Sequence, residues 1–190
     1  MQYLTAEERQ RLWATAEKEN HEHALILRLG FWHGLRVCEI VPSRPERKRK
    51  HGKFVKPNPK SGLRGRQIQD GQISVQRLKS SDKTIQPLNP SLDELKERAQ
   101  QNPDGFLFNI SRQRVNEFTK RYCSLAGIHH DKAHFHSAGK HSIAMEIWEQ
   151  SHSLGQIQSY LGHKSSSSSI QYLREVDHSK AIAAVAQIAA

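Results

Sequence analysis

Residues 134–172 read HFHSAGKHSIAMEIWEQSHSLGQIQSYLGHKSSSSSIQY. The stretch holds five of the chain's twelve histidines, a Lys140-His141 pair opening an apolar-periodic segment, and the run Leu161-Gly162-His163. A serine tract covers 165–169, and Tyr172 stands nine residues after His163. Ile143, Ala144 and Ile147 recur at helical spacing from His141 to Gln150. Leu154, Ile157, Tyr160 and Leu161 mark a second short helix, ended by Gly162. A third helix is predicted from Ile170 to Glu175, and it carries Tyr172. Imidazoles, an amine and a phenol form a set that can hold a phosphodiester and attack it without a metal.

Upstream, Thr5-Ala6-Glu7-Glu8 is a capping box, predicting a helix from Ala6 to Lys18. The next segment carries Ala24, Leu25, Leu27, Leu29 and Phe31 and runs on through Leu35, Val37, Cys38, Ile40 and Val41. It is apolar nearly all round, which predicts a central core helix, broken or kinked near Gly30 and Gly34. Arg36 lies inside this apolar run. A buried guanidinium needs a partner, and Glu39, three residues on, can form an ion pair with it.

From Val41 to Arg66 the composition changes to PSRPERKRKHGKFVKPNPKSGLRGR after Val41, with Glu46 its only acid. Its prolines and glycines exclude a helix or a central strand. A long basic loop is expected, with Arg47, Lys48, Arg49, Lys50, Lys53, Arg64 and Arg66 placed to lie along phosphates. Gln72 to Leu88 reads as a β-hairpin, with Ser80-Ser81-Asp82 at its turn and Lys79 and Lys83 flanking it. Ser91 and Ser111 open two further helices. The second has a basic face that includes Arg112 and Arg114, either a solvated surface or a second DNA contact.

The 190 residues suffice for one well-cored domain, so 1–190 is read as a single unit with a helical tail over 176–190;. A net charge of +10, a pI near 9.8 and a mean hydropathy of −0.74 favour a polyanionic partner;. No h-region or spanning apolar run occurs, which argues against secretion or membrane insertion and for the cytoplasm. Cys38 and Cys123 form no CxxC pair and are expected to be small buried hydrophobes. No HExxH and no spaced Cys/His quartet appears, so no metal is expected.

Taken in order, these signals resemble the catalytic domain of the tyrosine recombinases, the phage integrase family. Gly34-Leu35-Arg36-Val37-Cys38-Glu39 matches the family's G-[LM]-R-x-x-E box, Lys79 its hairpin lysine, and Leu161-Gly162-His163 with Tyr172 its last two boxes. The resemblance implies a mainly helical α+β fold with a small antiparallel sheet. It implies site-specific cleavage and rejoining of double-stranded DNA through a 3′-phosphotyrosine, without cofactor. In that scheme Arg36 and His163 hold the phosphate, Tyr172 attacks, and Lys79 protonates the leaving 5′-oxygen. It also implies self-association on DNA, a tetramer in the synapse, and a bacterial or phage origin.

One box departs from the pattern. Lys140 stands where the family's H-x-x-R-H motif has arginine, keeping the charge but losing the planar fork. Ser137 lies three residues before it and His136 four. Either Ala138-Gly139 is a one-residue expansion and His136 fills the acid–base position, or Ser137 replaces it; His136 is preferred. The family's N-terminal DNA-clamping domain has no counterpart here, so an excised fragment, or one that borrows its other half, is expected. Two other outcomes stay open: a DNA-binding protein of this fold with impaired catalysis, and a type IB-like topoisomerase.

Overall fold

A computed structural model describes residues 2–43, 61–79 and 81–173. Among these, helices dominate, with one antiparallel three-stranded sheet of order β1-β2-β3. The Thr5 capping box starts helix α1 (Ala6–Glu19): Thr5 Oγ1 accepts from the Glu8 amide, and Glu8 accepts from the Thr5 amide;. Helix α2 (His21–Trp32) is capped by Asn20 and buried from Ala24 to Phe31 except at Arg28. An almost wholly apolar helix has to be surrounded, and α1, the later helices Arg112–Leu125 and Ser142–Ser151, and the 137–141 turn enclose it;.

The apolar run from Ala24 to Val41 does not stay one helix. The chain breaks at Gly34, whose φ is +56°, and re-enters as the short helix α3 (Val37–Ile40). A side chain at position 34 would be strained at that φ, and its Cβ would lie 2.4 Å from Leu161 Cδ2;. The break frees Arg36 from the helix interior and places it at the α3 N-cap.

Strands β2 (Gln72–Gln76) and β3 (Lys83–Pro87) form the expected hairpin, with Ile73 opposite Gln86 and Val75 opposite Thr84. A further strand, β1 (Ile68–Gln69), pairs with β2. Helices α4 (Glu94–Gln101) and α5 (Arg112–Leu125) follow, the latter capped by Ser111. Then come α6 (Ser142–Ser151), α7 (Leu154–Leu161) and α8 (Ser167–Leu173). Helix α8 starts inside the serine tract, ahead of the Ile170 start expected from apolar spacing.

Two apolar clusters organise the packing. The larger gathers Leu25, Leu29, Leu63, Phe108 and Val115 around α2 and α5. The smaller gathers Phe31, Ile143, Ala144, Ile157, Leu161 and Tyr172. Each buried Leu, Ile or Phe contributes roughly 1.5–3 kcal/mol, so the smaller cluster is a firm seat for the tyrosine.

The basic loop is shorter than its composition implied. Residues 61–66 are tied to the scaffold: Gly62 N donates to Cys38 O at 3.1 Å, Leu63 N to Ile40 O at 3.0 Å, and Leu63 is fully buried. Arg47, Lys48, Arg49, Lys50 and Lys53, like the 176–190 tail, lie outside the described residues. Cys123 is buried as expected, whereas Cys38 is only half-buried. No helix among the described residues is long and apolar enough to cross a membrane.

Candidate active site

A cleft of about 640 Å³ opens between α3, the hairpin tip, α5 and the 163–172 segment. Arg36, Lys79, His136, His163 and Tyr172 all line it, although 136 positions separate the first from the last in sequence. Arg112, Asn116 and Lys120 line it too, at helical spacing along one face of α5.

Arg36 is held from below. Its Nη1 donates to Glu39 Oε1 at 3.0 Å and to Leu78 O at 3.3 Å, and its amide donates to Glu39 Oε2 at 2.8 Å. The ion pair expected from sequence and the cleft-facing position therefore coexist. Glu39 is 1% exposed and also accepts from the Leu78 amide at 2.9 Å and Arg77 Nη1 at 3.4 Å. Burial alone would raise its carboxyl, but the Arg77 charge, the two backbone donors and Arg36 together hold it below the usual range;. Glu39 thus fastens the hairpin tip to α3.

Arg77 stands outside the site residues expected from sequence. Its side chain is fully buried, with Nε donating to Thr84 Oγ1 at 2.8 Å, Nη1 to Gly34 O at 3.0 Å, and Nη2 to His33 O at 2.6 Å. A pointer was present: Ile73, Val75 and Arg77 share one parity, so an arginine at that place must turn inward. Lys79, two residues on, closes the hairpin with φ +57°, a left-handed conformation that side-chain-bearing residues seldom adopt;.

A π turn at Ser137–His141 coincides with the irregular spacing before Lys140. Such a turn adds one residue to a helix. His136 opens into the cleft, while Ser137 is buried and its carbonyl accepts from Ser142 Oγ at 2.7 Å. Enclosure by the cleft wall, with His141, Lys140, Arg36 and Lys79 nearby, lowers the His136 imidazole. The tight crossing with α2 requires glycine here: a Cβ on Gly139 would lie 2.8 Å from Gly30 O.

Lys140 is placed otherwise than its motif position suggested. It is fully buried, does not line the cleft, and its Nζ has no hydrogen-bond partner among the described residues. Burial, reinforced by Arg36 and Arg77, lowers its ammonium to about 7;. A group at that value is only about half charged at neutral pH.

Tyr172 sits among imidazoles. Its ring is stacked on His163 at 5.9 Å and 8°, and His141 meets it edge-on at 5.1 Å. His141 in turn touches His136 at 4.3 Å. Burial raises the Tyr172 phenol to about 12 against the opposing pull of Arg36 and Arg77, and it lowers His163 to about 4. At neutral pH the phenol keeps its proton and His163 is neutral. His163 Nδ1 lies 2.8 Å from Ser169 Oγ.

The basic residues expected on DNA divide into two groups. Arg112 lies in the cleft, whereas Arg114 does not line it and pairs with Glu117 at 3.5 Å. Arg64 stacks over the Phe106 ring at 4.0 Å, and Arg66 pairs with Asp104 at 2.9 Å; neither lines the cleft. Lys120 belongs to the basic helix face expected from sequence, whereas Asn116 was absent from it, although its spacing from Arg112 and Lys120 marks one helix face. His129, His130 and Asp131 bring ligand atoms within 4.8 Å of one another on an exposed turn.

The sequence model of the Phage integrase family matches residues 62–178. No curated protein matches the chain. Among solved structures, the catalytic domain of bacteriophage HP1 integrase superposes with a TM-score of 0.63 at 20% identity, over 91% of this chain and 87% of that one. A lambda integrase dimer bound to a COC′ core site gives 0.63 at 20% identity, over 90% and 58%. XerH site-specific recombinase bound to palindromic difH gives 0.63 at 16% identity, over 97% of this chain. The chain spans about half of XerH, 52% of its length. These likenesses establish a common fold.

Proposed function

Because the chain belongs to the phage integrase family, we propose that it cleaves and rejoins double-stranded DNA through a phosphotyrosine at Tyr172. One observation carries the reading: Arg36, Lys79, His136, His163 and Tyr172 line a single cleft. In the proposed reaction Arg36 and the imidazole N–H of His163 bind the non-bridging oxygens, where negative charge grows as the phosphorus is attacked. The Tyr172 oxygen bonds to phosphorus as the bond to the 5′-oxygen breaks. His136, neutral and open to the cleft, takes the phenol proton, and Lys79 Nζ gives one to the leaving 5′-oxygen. Rejoining runs the steps backward, so bond energy is conserved without a cofactor. Arg112, Asn116 and Lys120 flank the duplex from α5, with the basic 47–53 residues and Arg64 and Arg66 as further phosphate contacts. Self-association on DNA and a bacterial or phage nucleoid setting complete the proposal.

A second reading has its own support. Lys140 is buried, with no hydrogen-bond partner for its Nζ among the described residues, where the family pattern has an arginine, which favours a DNA-binding protein with impaired turnover. Losing one transition-state donor costs about a hundred- to a thousand-fold in rate. The deciding experiment incubates the protein and Tyr172→Phe with nicked suicide duplexes carrying a randomised core, followed by SDS electrophoresis and sequencing of retained DNA. An SDS-resistant adduct with the parent and none with Tyr172→Phe is expected. Salt-sensitive binding without any adduct would overturn the cleavage reading in favour of the second one.

A further inference from the structure

We infer that Ser169, from the serine tract, is a positioning residue that locks His163 in the tautomer with its proton on Nε2. The inference rests on the proposed phosphotransfer for its use, but not for its geometry. Ser169 is fully buried, and its Oγ lies 2.8 Å from His163 Nδ1. Two arrangements satisfy that distance. In one, the serine O–H donates to a bare Nδ1 and the ring proton sits on Nε2. In the other, Nδ1–H donates to Oγ, and the serine proton must find another acceptor.

Burial decides between them. Among the described residues, the only hydrogen bond of Ser169 Oγ is to His163, and a buried donor left unpaired is unfavourable;. His163 itself is 6% exposed, and burial lowers its imidazole to about 4, so at neutral pH it carries one ring proton and not two. With the serine donating, that proton is on Nε2. Since Nδ1 is turned to Ser169 and the ring lines the cleft, Nε2–H is the atom available to a phosphate oxygen;. The opposite tautomer would offer the phosphate a lone pair and repel it.

The position within α8 makes this a coupled device. Ser169 and Tyr172 are three residues apart on the same helix, and Tyr172 stacks on the same imidazole. One short helix therefore carries both the attacking phenol and the hydroxyl that orients the phosphate donor. This assigns a task to one serine of the tract; Ser165, Ser166, Ser167 and Ser168 are exposed.

The test compares Ser169→Thr, which keeps the hydroxyl, with Ser169→Val, which matches threonine in shape without it. Imidazole nitrogen NMR at neutral pH, with His163→Gln to assign the signal, reads the tautomer directly. The parent and Ser169→Thr should show protonated Nε2 and bare Nδ1, and Ser169→Val should lose that single form. Single-turnover cleavage of the selected suicide duplex should fall about tenfold to a hundredfold in Ser169→Val and recover in Ser169→Thr, with DNA affinity unchanged. A parent spectrum with the proton on Nδ1, or a Ser169→Val protein matching Ser169→Thr in spectrum, overturns the inference. If the parent makes no adduct, the cleavage reading fails, and the spectra still decide the tautomer.

Discussion

Two cationic places lie side by side under the cleft, and they are built on opposite terms. Around Glu39, Arg36 and Arg77 share one carboxylate, and carbonyls of Leu78, Gly34 and His33 take further N–H groups. Around the π turn, Lys140 Nζ is buried with no hydrogen-bond partner among the described residues, and the His141 ring is buried beside it. The first place satisfies its hydrogen bonds around a buried counter-ion, with two guanidiniums sharing one carboxylate. The second leaves the Lys140 amine open. Fixed cations can be held ready only where a counter-charge is buried with them; elsewhere the protein lowers the charge itself, as the Lys140 value of about 7 shows;.

The comparison breaks most severely at Glu39. Glu39→Gln leaves Arg77 buried without its counter-ion, and a loss of about 3–5 kcal/mol is expected in urea denaturation. The Arg site would then resemble the Lys site, with the hairpin tip released from α3. An unchanged urea midpoint would mean that Glu39 does not carry the charge of Arg77.

Lys140→Met sharpens the contrast from the other side. Removing an orphaned buried amine should stabilise the protein by about 2 kcal/mol at pH 7. The folded Lys140 value is lowered from 10.5 to about 7, so the unfolded chain binds the extra proton between those limits. The parent is therefore expected to gain stability as pH rises from 7 toward 10.5, and Lys140→Met to show a flatter curve. Equal slopes in the two proteins would remove the buried-amine account.

The smallest effect concerns the imidazoles. His33, His141 and His163 are buried and each is lowered to about 4 from 6.5, chiefly by burial. Stability that depends on their neutral forms is complete above pH 6.5 and is lost as pH falls toward 4. His141→Phe should remove one share of this loss, about 1 kcal/mol between pH 7 and pH 5.5, measured by urea titration at both values;. A parallel decline in parent and variant would exclude His141 from the acid response.

What was legible in the sequence follows the range of the interactions. The caps at Thr5 and Ser111, the 72–88 hairpin and the Gly162 helix end are decided within a few residues, and they stand as read. The membership of the cleft was legible through motif order. Burial was not. Nothing near Lys140 in sequence says that α2 and α3 close over it, and Arg77 makes sense inside the fold only with Glu39 opposite. The break expected near Gly34 is present, but its packing reason is remote: Gly34 lies against Leu161, 127 positions later. Strand β1, two residues long, offers no period to detect.

The π turn at Ser137–His141 takes up one extra residue within a single turn of the chain;. In this way two neighbouring side chains part company: the His136 imidazole lines the cleft, and Ser137 is enclosed in the protein. The width of one turn therefore decides which of the two polar groups meets solvent.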